Sequence, residues 1–358
     1  MWKSLKDRAE GVKEMKRMKT TEAVGQVLCH DITQIIPGVT KDAVFRKGHI
    51  IREEDIPVLL SVGKDSVYIW ENDETMMHEN DAAEVLYRMT ANEHMHSSDV
   101  KEGKIEVIAD TEGLLKVDRE KLKKVNAFGE MMIATRHGNT VVKKGDKLAG
   151  TRIIPLVIKK DKMQEAEKIC DGTPILKILP FTVKKAAIIT TGNEVYHGRI
   201  KDAFTPVIEQ KIAEFGAEMM FHEIFDDNDR KITDGCLRAI EAGADIVFCT
   251  GGMSVDPDDK TPLAIKNTGA EMISYGSPVL PGAMFLLSYY RKGDKVIPIC
   301  GLPGCAMYNR RTIFDLVLPR LMAADPVTAD ELASLGEGGL CLNCKVCTFP
   351  NCGFGKGW

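Results

Sequence analysis

The chain has 358 residues, 44% of them hydrophobic and 28% charged, with a formal net charge of −4. That length exceeds the roughly 250 to 300 residues at which single cores stop growing, so two or more domains are expected, and the small negative charge gives no electrostatic case for binding nucleic acid. No apolar run approaches the roughly eighteen residues of a membrane span, and the opening Met1-Trp2-Lys3-Ser4-Leu5-Lys6-Asp7-Arg8 is too polar for a signal peptide, so a cytoplasmic protein is expected.

The first twenty residues hold seven basic and three acidic side chains and read as a solvated helix or arm. From Glu22 to about Trp70, apolar and polar residues alternate around Pro37-Gly38, Lys47-Gly48 and Val62-Gly63, the texture of short strands and turns. A helical stretch near Asp81 to Thr90 comes next, and Lys104 to Ile108, Thr140 to Val142 and Ile153 to Ile158 read as strands. Residues 21–180 are therefore expected to form a smaller mixed α+β domain. His94-Met95-His96 places two histidines on one strand face without a third ligand, which reads as surface.

Past Pro180 the rhythm changes. Strands alternate with helical periods at Thr205 to Phe215, Asp229 to Ala242, Thr261 to Asn267 and Ala306 to Ala323, which predicts an α/β fold with a doubly wound, mostly parallel sheet over residues 181–325. Asp202 stands just ahead of the first helix, in a position to cap it. Four apolar runs each lead into an acid-or-glycine turn. Ala186 to Thr191 leads into Gly192-Asn193-Glu194, and Met219 to Phe225 into Asp226-Asp227. Ala244 to Cys249 leads into Thr250-Gly251-Gly252-Met253-Ser254 and on to Asp259, and Lys295 to Cys300 into Gly301-Leu302-Pro303-Gly304. Parallel strands joined by helices put their carboxyl ends on one edge, so the four turns are expected to converge on one site.

Consecutive glycines let a backbone approach a ligand and turn its N–H groups inward, and a helix starting at Thr261-Pro262 adds its positive end. Hydrogen bonds to a charged group contribute roughly 1.5 to 3 kcal/mol each, so such a turn favours a phosphate or oxyanion. The same edge carries Glu194, Asp227 (or Asp226) and Asp259, which would repel a phosphate unless a divalent cation lies between. Magnesium takes one or two carboxylates together with ligand phosphates and water, which fits this mixture. Asp226-Asp227-Asn228-Asp229 also reads as an ordinary helix start. Arg310-Arg311 reads equally as a phosphate contact or a solvated helix face.

Thr190-Thr191-Gly192-Asn193-Glu194, Thr250-Gly251-Gly252-Met253-Ser254 through Asp259, Pro281-Gly282 and Gly301-Leu302-Pro303-Gly304 together resemble the molybdopterin-binding domain of molybdenum cofactor biosynthesis proteins, over about Lys184 to Asp325. Val27-Leu28-Cys29-His30-Asp31-Ile32 resembles, more loosely, part of the non-pterin region of the molybdenumtransferase in that family. The resemblance implies a pterin dithiolene phosphate, in free or adenylylated form, seated over Thr191, Gly192, Asn193, Asp202, Thr250, Gly251, Gly252, Ser254, Gly301, Pro303 and Gly304. It implies magnesium and molybdate beside Glu194, Asp227 and Asp259. Cys305 and Ala306 replace the Asn-Pro that usually follows Gly-Leu-Pro-Gly, and Ala283 replaces a common lysine, departures that bear on catalysis more than on ligand binding.

The tail, residues 326–358, packs Cys341, Cys344, Cys347 and Cys352 into twelve residues. In a reducing cytosol that density argues for metal ligation over disulfides. Two successive two-residue gaps resemble ferredoxin spacing, although the last gap is one residue longer and no proline follows, so iron–sulfur and zinc both stand open. The other six cysteines are scattered singly, and several, such as Cys249 and Cys300, fall inside strand-like apolar runs and read as reduced, buried small hydrophobes.

Three functions are carried forward: molybdate insertion into (adenylylated) molybdopterin, a carrier that delivers the cofactor to a molybdenum enzyme, and adenylyl transfer. A homo-oligomer is expected, with dimer and trimer both open.

Overall fold

The computed structural model of the protein describes residues 16–36, 40–69, 75–254, 256–257 and 259–357. The basic arm up to residue 15, the Pro37-Gly38 turn and Trp70 lie outside the described residues. Contacts divide the chain into two units.

The described residues of Met1–Thr111, Val117–Arg136 and Lys144–Lys177 make the first unit. Its sheet is antiparallel, in the order Met95–Ser97, Lys104–Ala109, Lys147–Ile153, Met131–Thr135. Ile105, Val107 and Ala109 alternate inward along one strand, as a half-buried sheet requires. Helix Glu79–Thr90 buries Ala82, Ala83, Leu86 and Met89, a single stripe at helical spacing, and the His78 ring accepts from Asn80 N at its start. A second core of Ala23, Leu28, Ile32, Ile51, Leu59, Val67 and Ile69 lies among short strands. Two expectations need correction. Lys16–Lys19 is a strand antiparallel to Ser66–Ile69, not a helix, although its residues are largely exposed as expected. The strand expected over Ile153 to Ile158 is two, Lys147–Ile153 and Val157–Lys159, parted at Pro155, which has no N–H for a ladder.

The second unit takes in Glu112–Lys116, His137–Lys143 and Ile178–Trp358. Its strands are labelled β1 (Lys185–Thr191), β2 (Glu218–Phe225), β3 (Ile246–Thr250), β4 (Glu271–Tyr275), β5 (Leu286–Lys292) and β6 (Lys295–Leu302), and they form one sheet in the order β2-β1-β3-β6-β5-β4. β2, β1, β3 and β6 are mutually parallel, whereas β5 runs antiparallel to both β6 and β4. Every residue of β3 is buried, the signature of a strand covered on both faces. Ile188, Phe248 and Cys300 point into one core under helices α2 (Phe204–Ala213) and α6 (Ile313–Met322). Their neighbours Ile189, Cys249 and Ile299 point into the other, under α3 (Asp229–Glu241) and α4 (Thr261–Asn267). This is the doubly wound, mostly parallel sheet expected from the sequence, and full burial of each such side chain contributes about 1.5 to 3 kcal/mol.

The helix expected over Ala306 to Ala323 is broken. A short α5 (Cys305–Tyr308) ends before Thr312, which caps α6 through a reciprocal box with Asp315. Helix α7 (Ala329–Ser334) opens with a second box between Thr328 and Glu331. Among the described residues no helix is long and apolar enough to cross a membrane.

Candidate functional site

Because β2, β1, β3 and β6 are parallel neighbours, the four acid-or-glycine turns stand side by side along one edge of the sheet. The turns touch one another in sequence. From β1, the Asn193 backbone N–H donates to Asp227 Oδ2 at 3.1 Å, joining that turn to the one after β2. Thr191 Oγ1 donates to the Thr250 carbonyl at 3.1 Å and pairs with Thr261 Oγ1 at 3.0 Å, joining it to the turn after β3. Met253 then packs over Gly301, where a Cβ would lie 2.5 Å from the Met253 methyl, joining the turns after β3 and β6.

Glycine is required in the Gly-Gly turn on two grounds. Gly251 has φ of +82° and a Cβ there would meet the Thr191 carbonyl at 2.1 Å, while Gly252 has φ of +53° and a Cβ would meet Thr261 Oγ1 at 2.8 Å. Tyr275, at the end of β4, donates to the Met253 and Ser254 carbonyls at 3.2 and 3.4 Å and so holds this turn from outside. Burial and then the charge of Asp259 push its phenol upward. The sequence reading missed Tyr275, since its strand has no apolar alternation. The helix that follows, α4, has only seven residues and no side-chain cap, so it offers less positive end than expected.

The two acids after β2 are told apart by their partners. Asp226 pairs with Lys231 Nζ at 2.8 Å, and Asp227 spans to the Asn193 turn. The helix-start reading of this stretch falls to Asn228, whose side chain accepts from Lys231 N at 3.1 Å. Asp202 is fully engaged: Oδ1 accepts from Phe204 N and Thr205 N, and Oδ2 from Thr190 and Thr205 hydroxyls at 2.9 and 2.6 Å. Burial works to raise its carboxyl, but those hydrogen bonds hold it below the usual range. His222 Nε2 lies 3.4 Å away, a second residue with no signal in the sequence. Asp202 thus fixes α2 and the end of β1 instead of reaching outward.

Glu194 and Ser254 are exposed, Asp227 and Asp259 half-buried, and Thr191 and Thr250 buried. Pro303 and Gly304 turn from β6 into α5 through Ala306 N to the Pro303 carbonyl at 3.0 Å. Two buried polar atoms near this edge, Thr250 Oγ1 and Asp226 Oδ1, have no hydrogen-bond partner. Among the described residues no three of His, Cys, Asp and Glu gather around one point. Glu194, Asp227 and Asp259 therefore do not form a preformed three-carboxylate cage, and Cys341, Cys344, Cys347 and Cys352 do not form a closed single-ion site. All ten cysteines are free, and Cys29, Cys170, Cys236, Cys249 and Cys300 are buried. Arg310 donates to the Lys345 carbonyl at 3.2 Å, and Arg311 pairs with Asp315 at 2.9 Å and lies 4.8 Å over the Phe349 ring, so neither lies on a free helix face.

In the first unit, burial, then the charges of Glu102 and Asp31, push the Glu79 carboxyl up from 4.5 to about 7 against Arg152 and Lys47. Nearby in sequence to Cys29, whose backbone carbonyl meets His78 Nε2 at 2.9 Å, His30 Nδ1 is buried and without a partner. These groups lie within or beside the stretch singled out above at Val27 to Ile32.

The family described as "Probable molybdopterin binding domain" matches residues 187–323, so the second unit carries a domain of that family. Residues 17–71 match a domain of unknown function. A protein of Bacillus cereus (strain B4264) that carries the name competence-damage inducible protein is 30% identical over 129 residues, 36% of this chain and 30% of the relative. The chain thus spans less than a third of the length of that curated relative. Among solved structures, the tungsten cofactor synthesizing protein MoaB from Pyrococcus furiosus is similar at 18% identity and a TM-score of 0.34, over 40% of this chain and 98% of that one. The molybdopterin biosynthesis enzyme MoaB from Thermus thermophilus matches at 19% identity and a TM-score of 0.31, over 40% and 98%.

Proposed function

We propose that the carboxyl edge of the second unit's sheet binds a molybdopterin-type ligand, a phosphorylated pterin dithiolene in free or adenylylated form, and there supports insertion of molybdate. The observation that carries this reading is the unbroken chain of contacts from Asp227 through Asn193, Thr191 and Thr250 to Met253 and Gly301, which makes one rim from four separate turns.

On this reading the backbone N–H groups of Gly251 and Gly252 face the ligand's phosphate, because no side chain at those positions can intervene. Asp227 orients the Gly192–Glu194 turn, and Thr191 fixes the distance between the first and third turns. Tyr275 keeps the Gly-Gly turn from relaxing. Magnesium would supply positive charge between phosphate and carboxylates. The residues present fit its looser mode, in which one or two of Glu194, Asp227 and Asp259 bind and ligand oxygens and water complete the shell. The partnerless Asp226 Oδ1 is an acceptor that such a shell could satisfy through water. Catalytic duty falls to Glu194, Asp227 and Asp259 as orienting ligands, not nucleophiles.

A carrier that binds the same cofactor without turning it over is the second reading, favoured by Ala283, Cys305 and Ala306 at positions where the resemblance leads one to expect lysine, asparagine and proline. Turnover separates the two. Purified full-length protein with magnesium, molybdate and adenylylated molybdopterin is expected to yield molybdenum cofactor, and Asp259→Asn to abolish the yield while leaving pterin binding within about threefold. Retained binding with no conversion by the unmodified protein would leave the carrier.

A further inference from the structure

The C-terminal segment is tied to the second unit at both ends of its cysteine run. Leu280 N donates to the Gly339 carbonyl and Cys341 N to the Leu280 carbonyl, both at 2.8 Å. Gly355 N closes back on the Gly338 carbonyl at 3.0 Å, and Phe354 is only 5% exposed within the core under α6. A Cβ on Gly355 would lie 2.3 Å from Leu316 Cδ2, so the chain passes there in close contact with that helix. Residues 341–352 are thereby a loop with fixed ends. Within it Leu342 and Val346 are 78% and 75% exposed, so apolar burial does not order its middle.

What the loop does enclose is a cavity of about 530 Å³, and Cys341, Cys344, Cys347 and Cys352 all line it. Its walls include Tyr308 and Phe349. Two cations flank it. Arg311, which pairs with Asp315, lines the same wall as Cys347, and Arg310 holds the Lys345 carbonyl. The size of the cavity selects among metals. Four Zn–S bonds of about 2.3 Å would draw all four sulfurs to within about 3.8 Å of each other, and no three of these thiols gather in that way among the described residues. A sulfide-bridged iron cluster holds its four cysteines around a body several ångströms across, which suits ligands spread over the wall of one cavity. The ferredoxin-type run sends its fourth cysteine to a second cluster, but here Cys352 lines the same cavity as Cys341, Cys344 and Cys347 and is placed for the same cluster.

We propose that Cys341, Cys344, Cys347 and Cys352 ligate a single [4Fe–4S] cluster, with Arg311 offsetting its negative charge. A cluster delivered intact on donor thiolates exchanges them for the four cysteine sulfurs: four Fe–S bonds to the donor break, four to these cysteines form, the four S–H protons pass to the departing thiolates, and no oxidation state changes. Helix α5 begins at the Gly301–Gly304 turn and ends at Tyr308 in the cavity wall. Its four residues rise about 6 Å, so the cluster would sit one short helix from the turn assigned to the pterin. The inference stands on the tail's own geometry and holds whether or not a pterin binds.

The test is metal analysis of the full chain purified without oxygen, then reconstituted with ferric iron, sulfide and dithiothreitol. Expected are about four iron and four sulfide per chain, a visible absorption that dithionite bleaches, and a paramagnetic signal in the reduced state. Cys344→Ser and Cys347→Ser alter exposed positions and should cut bound iron at least fivefold with an unchanged circular dichroism spectrum, while Cys170→Ala in the first unit should keep it. One zinc per chain with no iron would overturn the proposal, as would no metal at all, or full iron retention in Cys344→Ser.

Discussion

Asp227 accepts a hydrogen bond from the Asn193 backbone at 3.1 Å, so a carboxylate at the end of one strand holds the turn at the end of its neighbour. Replacing Asp227 by Asn keeps the shape and removes the charge. Loss of a charged acceptor should cost about 1 to 2 kcal/mol of stability, and loss of the orienting carboxylate should weaken pterin binding at least tenfold. Urea unfolding and a pterin fluorescence titration read the two effects separately. Unchanged binding would remove Asp227 from the site.

Gly251→Ala meets the Thr191 carbonyl and also suffers a positive φ, whereas Gly243, with φ of +101°, has open space around it. Strain alone costs about 1 to 2 kcal/mol, and a forced contact adds about 1 to 3 kcal/mol. Gly251→Ala is therefore expected to be more destabilising than Gly243→Ala by at least about 1 kcal/mol in denaturant melts. Equal effects would mean that the first and third turns are not packed together as described.

Glu79 carries a folded-state pKa of about 7 against an ordinary 4.5, chiefly from burial. The raised value means that the folded state prefers the neutral acid, so this contribution is complete below 4.5 and is lost as pH rises through about 7. Glu79→Gln should thus leave acid stability unchanged and raise stability by about 1 to 2 kcal/mol in alkaline buffer, the full shift being discounted because solvent screens part of the carboxyl. Thermal melts across pH give the comparison. A variant that loses stability at every pH would contradict it.

Phe354 tests whether the tail belongs to the second unit's core, where it lies 5% exposed beside Val317 and Leu321. Phe354→Ala should cost about 3 to 5 kcal/mol, the range for a buried aromatic. A loss below about 1 kcal/mol would mean that the segment is only loosely laid on the surface.

The edge that gathers the four turns was legible because buried parallel strands read as unbroken apolar runs, and glycine or acid at their ends marks where the chain leaves the sheet. Asp229 onward was legible as a helix from its apolar period behind Asn228, and Thr261 to Asn267 from its apolar period and the proline at its first turn. The hairpin of β4 and β5 was not, since Glu271–Tyr275 is an edge strand with an irregular, half-exposed pattern. The break between α5 and α6 did have a local signal, Thr312 three residues before Asp315, but the apolar period running through it hid the cap. The partners of Asp202 and Tyr275 depend on residues far along the chain, and no local spacing encodes them. The tail's spacing raised the expectation of metal ligands, and what it could not tell is that the four cysteines line one cavity in a loop closed between Gly338 and Gly355.

The most direct measurement is a crystal structure of the full chain with adenylylated molybdopterin and magnesium. The account predicts the ligand's phosphate against the Gly251-Gly252 turn, with Asn193 and Asp227 at its side. A ligand seated elsewhere in the chain at full occupancy, with these four turns unchanged and empty, would contradict it.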